Sequence, residues 1–159
     1  MKTAFSALIL LIAFATSSAF AKGLPACFDR KDRIDFNESQ VLAWKEFTEN
    51  KFLARAFVRG IAVRLIEDRQ KHIHIEVDLD KDMNTTDDRV EIIYNTKFGT
   101  LPDFRYGDEV IACGDFIKDT YSPVGAVIHW LHLNPKKGPH EDGFIAINGQ
   151  VAGLSPEKK

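Results

Sequence analysis

From Phe57 onward the chain counts in twos. Ile73, Ile75, Val77 and Leu79 alternate with His72, His74, Glu76 and Asp78. That period puts the apolar set on one face of a β-strand and the polar set on the other. A helix would scatter both sets around its circumference, because residues two apart do not share a helical face. The same reading makes residues 57–66 a first strand, coiled or bulged at Gly60. Residues 67–70 form a turn, 72–79 a second strand and 89–95 a third. Gly107-Asp108 turns into a fourth strand over 109–117. A fifth spans 124–133, and 144–147 is a short last strand before Asn148-Gly149. Residues 84–88 and 119–123 are turn clusters. Ahead of the strands, 37–54 reads as a helix. Asn37 caps it with Gln40 as box partner, and Val41, Trp44 and Phe47 recur at helical spacing. The predicted fold is mainly β: a small OB-like five-stranded barrel with an N-terminal helix. Closing such a sheet removes its edges. A lipocalin-like or cupin-like barrel would need more strands.

The start of the chain is a targeting signal rather than part of that domain. Met1-Lys2 is basic, residues 7–15 are apolar, and Ala19-Phe20-Ala21 is a small-x-small cleavage site. Residues 1–21 are predicted to be removed. That leaves an extended arm (22–36), one domain (37–154) and a tail (155–159), with no transmembrane segment after cleavage. The expected location is periplasmic or secreted. A rival reading is a lipid anchor at Cys27, since Leu24-Pro25-Ala26-Cys27 loosely matches an attachment box. Lys22, Gly23 and the proline weigh against it. Cys27 and Cys113 are the only two cysteines. In an exported chain such a pair reads as one disulfide, against a buried and an exposed thiol as the alternative.

The charge balance, 21 basic against 23 acidic groups, lacks the basic excess of a phosphate-tracking protein. Nucleic acid is therefore not the expected partner. No Ser-His-Asp, Cys-His, phosphate-loop or paired zinc-cysteine pattern is present, and no general acid–base pair stands out.

Candidate chemistry lies in the histidines. His72, His74 and Glu76 share one strand face, with side chains about 7 Å apart along it. They can be read as ligands for a divalent metal such as Zn²⁺, or as the solvated face of an amphipathic strand. The run Val127-Ile128-His129-Trp130-Leu131-His132-Leu133-Asn134-Pro135 sets two histidines and a tryptophan in apolar sequence. In a regular strand His129 and His132 point to opposite faces, and converge only if the strand is bulged or ends at Trp130. His132 and Trp130 share a face and could stack on a sugar or a base. His140 follows in a loop beside Glu141 and Asp142.

Those residues also carry a resemblance. Gly60, His72, Tyr94-Asn95, Gly107-Asp108-Glu109-Val110, the Val127–Pro135 run, Gly138-Pro139-His140, Gly143-Phe144-Ile145 and Asn148-Gly149 stand in order. Together they resemble a family of short, secreted bacterial proteins of unknown function with a V-I-H-W-x-H-x-[ND]-P motif. Leu133 stands where that pattern has a second histidine, Asn134 fills the acidic position, and Phe144 replaces tryptophan. The resemblance implies a secreted OB-like module and draws Tyr94 into the candidate site. The function expected from these features is a non-catalytic binding module for an oligosaccharide, peptide or other envelope component. Its ligand residues would be Tyr94, His129, Trp130, His132 and His140. The alternatives are a divalent-metal-dependent hydrolase, or a metal-binding protein, using the His cluster.

Overall fold

A computed structural model describes residues 23–135 and 138–156. The expected signal segment and the last tail residues lie outside these described residues. Two short strands, β1 (Cys27–Asp29) and β2 (Asp32–Ile34), form an antiparallel hairpin. The helix α1 follows (Glu38–Phe47). Seven further strands are β3 (Leu53–Arg69), β4 (His72–Asp78), β5 (Arg89–Asn95), β6 (Glu109–Lys118), β7 (Ala126–His129), β8 (Phe144–Ile147) and β9 (Gln150–Ala152).

Five of them close into a ring. β3 is long enough to pair twice. Its first half lies antiparallel to β6 and its second half antiparallel to β4, with Ile61 in both registers. Gly60 stands at this corner, where an added Cβ would collide with the carbonyl oxygen of Asp78. The register runs without a shift through Gly60, so the bulge expected there is absent. The irregularities of β3 fall between Ala62 and Arg64 and between Leu65 and Glu67. Gly60 instead gives room for a close backbone approach. β4 pairs with β5, β5 runs parallel to β7, and β7 returns antiparallel to β6. β8 and β9 extend the sheet from the first half of β6. The protein is thus mainly β with one α-helix, around a five-strand ring.

The core follows the period of two. Ile75 and Val77 of β4, Ile92 and Tyr94 of β5, Phe116 of β6 and Ile128 of β7 are fully buried in one cluster. His72, His74 and Glu76 take the opposite face of β4. No helix among the described residues is long and apolar enough to cross a membrane.

Three boundaries differ from the sequence expectation. The first strand of the ring, expected over 57–66 with a turn at 67–70, spans Leu53–Arg69, because residues 67–69 continue to pair with β4. The helix ends at Phe47 rather than at residue 54. Thr48 is extended, and both its amide and its hydroxyl donate to the Trp44 carbonyl. Phe52, inside the expected helix span, belongs to the turn into β3 and packs its ring 5.9 Å from Trp44. Asn37 holds the N-cap position as expected, its carbonyl accepting from Gln40 and Val41, but its side chain makes no capping bond. Its side chain donates to the Arg55 carbonyl at 3.1 Å and accepts from the Phe57 amide at 2.8 Å, stitching the helix start to β3. The fifth strand of the ring, expected over 124–133, stops at His129.

Cys27 and Cys113 form a disulfide, 86 residues apart in sequence, that fastens the β1–β2 hairpin to β6. Phe57, Ile111 and Phe144 pack around it in a second apolar cluster. Closing so long a loop removes much entropy from the unfolded chain. The double variant Cys27→Ser/Cys113→Ser should lose about 2–4 kcal/mol of stability. Urea unfolding checks this as a lower midpoint.

Candidate functional site

The site begins where β7 ends. Trp130 has a φ of 57°, a left-handed conformation that costs a bulky residue about 1–3 kcal/mol unless its surroundings hold it there. Two glycines provide the room. A Cβ on Gly114 of β6 would strike the carbonyl of His129, and one on Gly143 would strike the carbonyl of Trp130. Backbone bonds then tie the chain down. Gly143 donates to the His132 carbonyl at 2.8 Å, and Leu133 donates to the Gly153 carbonyl at 2.9 Å. Leu131 drops into the core, fully buried.

This turn breaks the alternation of a strand. His129 and His132, three apart, both line one open cleft of about 510 Å³. His72 from β4, Asn95 from β5, and Phe98, Trp130, Asn134 and His140 line it too.

The rings form a continuous array. Trp130 stacks on His140 with centroids 3.7 Å apart and planes 13° apart. His132 stacks on Phe98 at 3.6 Å. Trp130 lies 5.9 Å from His129 and 5.3 Å from His132. His129 meets His72 edge-on at 5.7 Å, and His72 meets His74 at 6.5 Å. All five histidines of the chain belong to this array.

Four of the imidazoles are oriented by an acceptor at Nδ1. His140 donates to Asp115 at 2.6 Å and His74 to Glu91 at 2.6 Å. His132 donates to the Leu133 carbonyl at 2.8 Å and His72 to the Gln70 carbonyl at 3.2 Å. For His72, His132 and His140 the acceptor places a proton on Nδ1, so that Nε2 is the accepting nitrogen of the neutral ring. Nε2 of His74 instead lies 3.4 Å from a Glu67 carboxylate oxygen. Asp115 is itself fixed by Arg55, whose Nη1 donates to it at 2.7 Å. The Arg55 side chain is almost fully buried. It also donates to the carbonyls of Phe28 and Asp142 and to Sγ of Cys113. Asn134 pins the loop that carries His140. Its amide side chain donates to the carbonyls of Gly138 and His140, and its backbone amide donates to Asp142 at 2.6 Å.

Two expectations need correction. Tyr94 is not in the cleft. The pleat of β5 turns its ring into the core, and its hydroxyl donates to the Gly99 carbonyl. Its neighbour Asn95, in register with His72, takes the place instead. His72, His74 and Glu76 do not converge as a ligand set. The Glu76 carboxylate is held by Arg64 at 2.8 Å and Arg89 at 2.9 Å. His74 is engaged by Glu91, which also accepts from Ser122. Only His72 of the three reaches the cleft. Among the described residues, the one group of three His, Cys, Asp or Glu whose ligand atoms all lie within 4.8 Å is Asp78, Asp80 and Asp88.

Sequence reasoning did not find Asn95, Phe98, Arg55 or the part played by Asp115. Pairing supplies the missing signal for two of them: His72 faces Asn95, and Asp115 faces His129 across β6 and β7.

His129 sits deepest in the array. Burial, then the neighbouring His72, His132 and His74, lower its pKa to about 4 from 6.5. The unfolded chain therefore binds this proton first as the pH drops. Stability should fall between pH 6.5 and pH 4, by about 2–3 kcal/mol from this group. Urea unfolding across that window should show a flatter pH dependence in His129→Asn than in the parent chain. Comparison with known protein families, with curated proteins and with solved structures finds no match.

Proposed function

We propose that the protein is an exported binding module whose cleft receives a neutral ring-bearing ligand, an oligosaccharide or an aromatic peptide. The observation that carries this reading is Trp130. It is held in an unfavourable backbone conformation, backed by His140, and faces an open cleft rather than the core. Strain of that kind persists where a side chain must be presented. The lining suits a ligand that stacks and hydrogen-bonds. It offers indole, imidazole and phenyl faces with the amides of Asn95 and Asn134 between them. Among the described residues no lysine or arginine lines the cleft.

The ring of strands supports an OB-like fold in the same proposal. Its strand order and single parallel pair match a Greek-key closure, and His72 and Asn95 lie on the second and third strands of the ring. OB-fold ligands bind on that face. The disulfide and the targeting signal read from the sequence support an oxidising compartment outside the cytoplasm.

A second reading has its own observation. Nδ1 of His72, His132 and His140 donates to a carbonyl or a carboxylate, which is how metal-binding imidazoles are oriented. Capture of Zn²⁺ or Cu²⁺ at the cleft is that alternative.

The test is a panel of cell-wall oligosaccharides, short aromatic peptides and Zn²⁺, added to the mature chain and followed by tryptophan fluorescence and NMR. A sugar or peptide should perturb the cleft residues. Trp130→Ala should weaken its binding by roughly tenfold or more and lower stability by only about 1–2 kcal/mol. Stoichiometric Zn²⁺ binding lost in His72→Ala, with no organic ligand, would replace this reading by the metal one.

A further inference from the structure

The connection between β4 and β5 carries chemistry that the cleft does not use. Asp78, Asp80, Asp82 and Asn84 fall on alternate residues. That D-x-D-x-D-x-N spacing is the one calcium loops use to bring successive oxygens to one centre. The chain departs from the helical version of such a loop. Met83 stands in the sixth place where glycine makes the turn, Arg89 stands in the twelfth where a bidentate acid closes the shell, and the loop joins two strands. An acid one place earlier, Asp88, supplies the carboxylate instead.

The backbone folds these residues inward. Carboxylate oxygens of Asp78, Asp80 and Asp88 all lie within 4.8 Å of one another. Asp78 is fully buried and Asp88 nearly so, while Asp80 is open to solvent.

An independent observation points to a cation. Oδ2 of Asp78 is buried and has no hydrogen-bond partner. The Arg89 guanidinium approaches it only to 3.6 Å through Nε, and that nitrogen also lacks a hydrogen-bond partner. A charged oxygen shut away from water and left unbonded is costly. Asp78 cannot withdraw, because Gly60 of β3 packs directly on its carbonyl. Its other oxygen is taken by the Lys81 amide at 2.8 Å. One buried oxygen is therefore left without a hydrogen bond in a side chain that clusters with two further carboxylates.

We propose that the β4–β5 connection binds a calcium ion through the carboxylates of Asp78, Asp80 and Asp88. The donor set is oxygen alone, which suits a hard cation and not zinc. An irregular loop with one solvent-facing ligand suits the flexible coordination of Ca²⁺ better than the strict octahedron of Mg²⁺. Lys45 of α1 donates to the carbonyls of Asp87 and Arg89, so the ion would clamp the hairpin tip beside the helix. The site is separate from the cleft. Asp78 pairs with Arg89 at one end of the β4–β5 ladder, and His72 pairs with Asn95 at the other.

The test uses the mature chain, stripped with chelator and titrated with CaCl2 by calorimetry and thermal unfolding. One ion per chain should bind with Kd of about 1 mM or tighter, as in extracellular calcium modules, and should raise Tm. Asp80→Asn, at an exposed position, should weaken binding by roughly tenfold or more and remove the Tm rise. Asp88→Asn should do the same, while Asp103→Asn, in a loop outside the cluster, should leave both unchanged. The proposal is overturned if about 10 mM CaCl2 gives neither heat nor Tm shift. It is equally overturned if the response survives in Asp80→Asn and Asp88→Asn, or if MgCl2 matches it. A proton shared between Asp78 and Asp88, the competing way to relieve the buried oxygen, predicts no calcium response and would be the explanation in that case.

Discussion

The cleft depends on one backbone constraint, the left-handed turn at Trp130. Were β7 to continue as a strand, His129 and His132 would face opposite sides and Leu131 would leave the core. The turn survives because neighbouring chains meet there without side chains between them. Gly114 presses on the His129 carbonyl and Gly143 on the Trp130 carbonyl. The apolar free energy of burying Leu131 beneath the turn, about 2 kcal/mol or more for a fully buried leucine, offsets a conformational cost of similar size. Presentation of the indole and burial of the leucine are therefore two consequences of one dihedral angle.

A buried arginine connects that turn to the rest of the molecule. Arg55 lies on β3, opposite Asp115 in the β3–β6 register. It holds the Asp115 carboxylate with one nitrogen and the backbone of the β1–β2 hairpin with another. Asp115 in turn orients His140, and His140 lies flat on Trp130. A guanidinium so enclosed is stable only because its donors find partners. The disulfide matters to this chain as well as to global stability, since it holds the hairpin that supplies the Phe28 carbonyl. The cleft wall is thus fixed from β7 on one side and from the disulfide-linked hairpin on the other.

How much of this was legible in the sequence follows from which features are local. The alternation of His72 to Asp78 was readable, because one face of β4 is buried and the period of two has no competing solution. Gly60 is visible in the sequence as an unusual strand residue, but its cause, room for the Asp78 carbonyl rather than a bulge, depends on a residue from another strand. The helix was overextended because Phe52 continues an apolar spacing, and its packing on Trp44 and Phe116 comes from the turn rather than from another helical turn. The end of β7 was not readable. A tryptophan at positive φ has no propensity signal, and the glycines that permit it are distant in sequence. Tyr94 and Asn95 were separated only by the pleat, which an adjacent pair of residues does not reveal. The D-x-D-x-D spacing is visible in the sequence but does not by itself separate a turn from a cation site. Turn chemistry and cation chemistry use the same residue types.

The β4–β5 hairpin also explains why a mixed metal site from His72, His74 and Glu76 does not form. On the outer face of β4 the donors run in order from imidazole to carboxylate. The partner strands answer each in kind. His72 meets Asn95 and the other rings of the cleft. His74 meets Glu91, a carboxylate that satisfies its proton. Glu76 meets Arg64 and Arg89, two cations that satisfy its charge. Asp78 meets the Lys81 amide with one oxygen, and its second, 3.6 Å from the Arg89 Nε, goes without a hydrogen bond. Cross-strand pairing thus neutralises the middle of the strip and leaves reactive groups at its ends. Nitrogen donors and aromatic faces collect where the ring opens onto the cleft, and oxygen donors collect at the hairpin tip. That division sets imidazole and aromatic groups at one end of a single β-hairpin and carboxylates at the other.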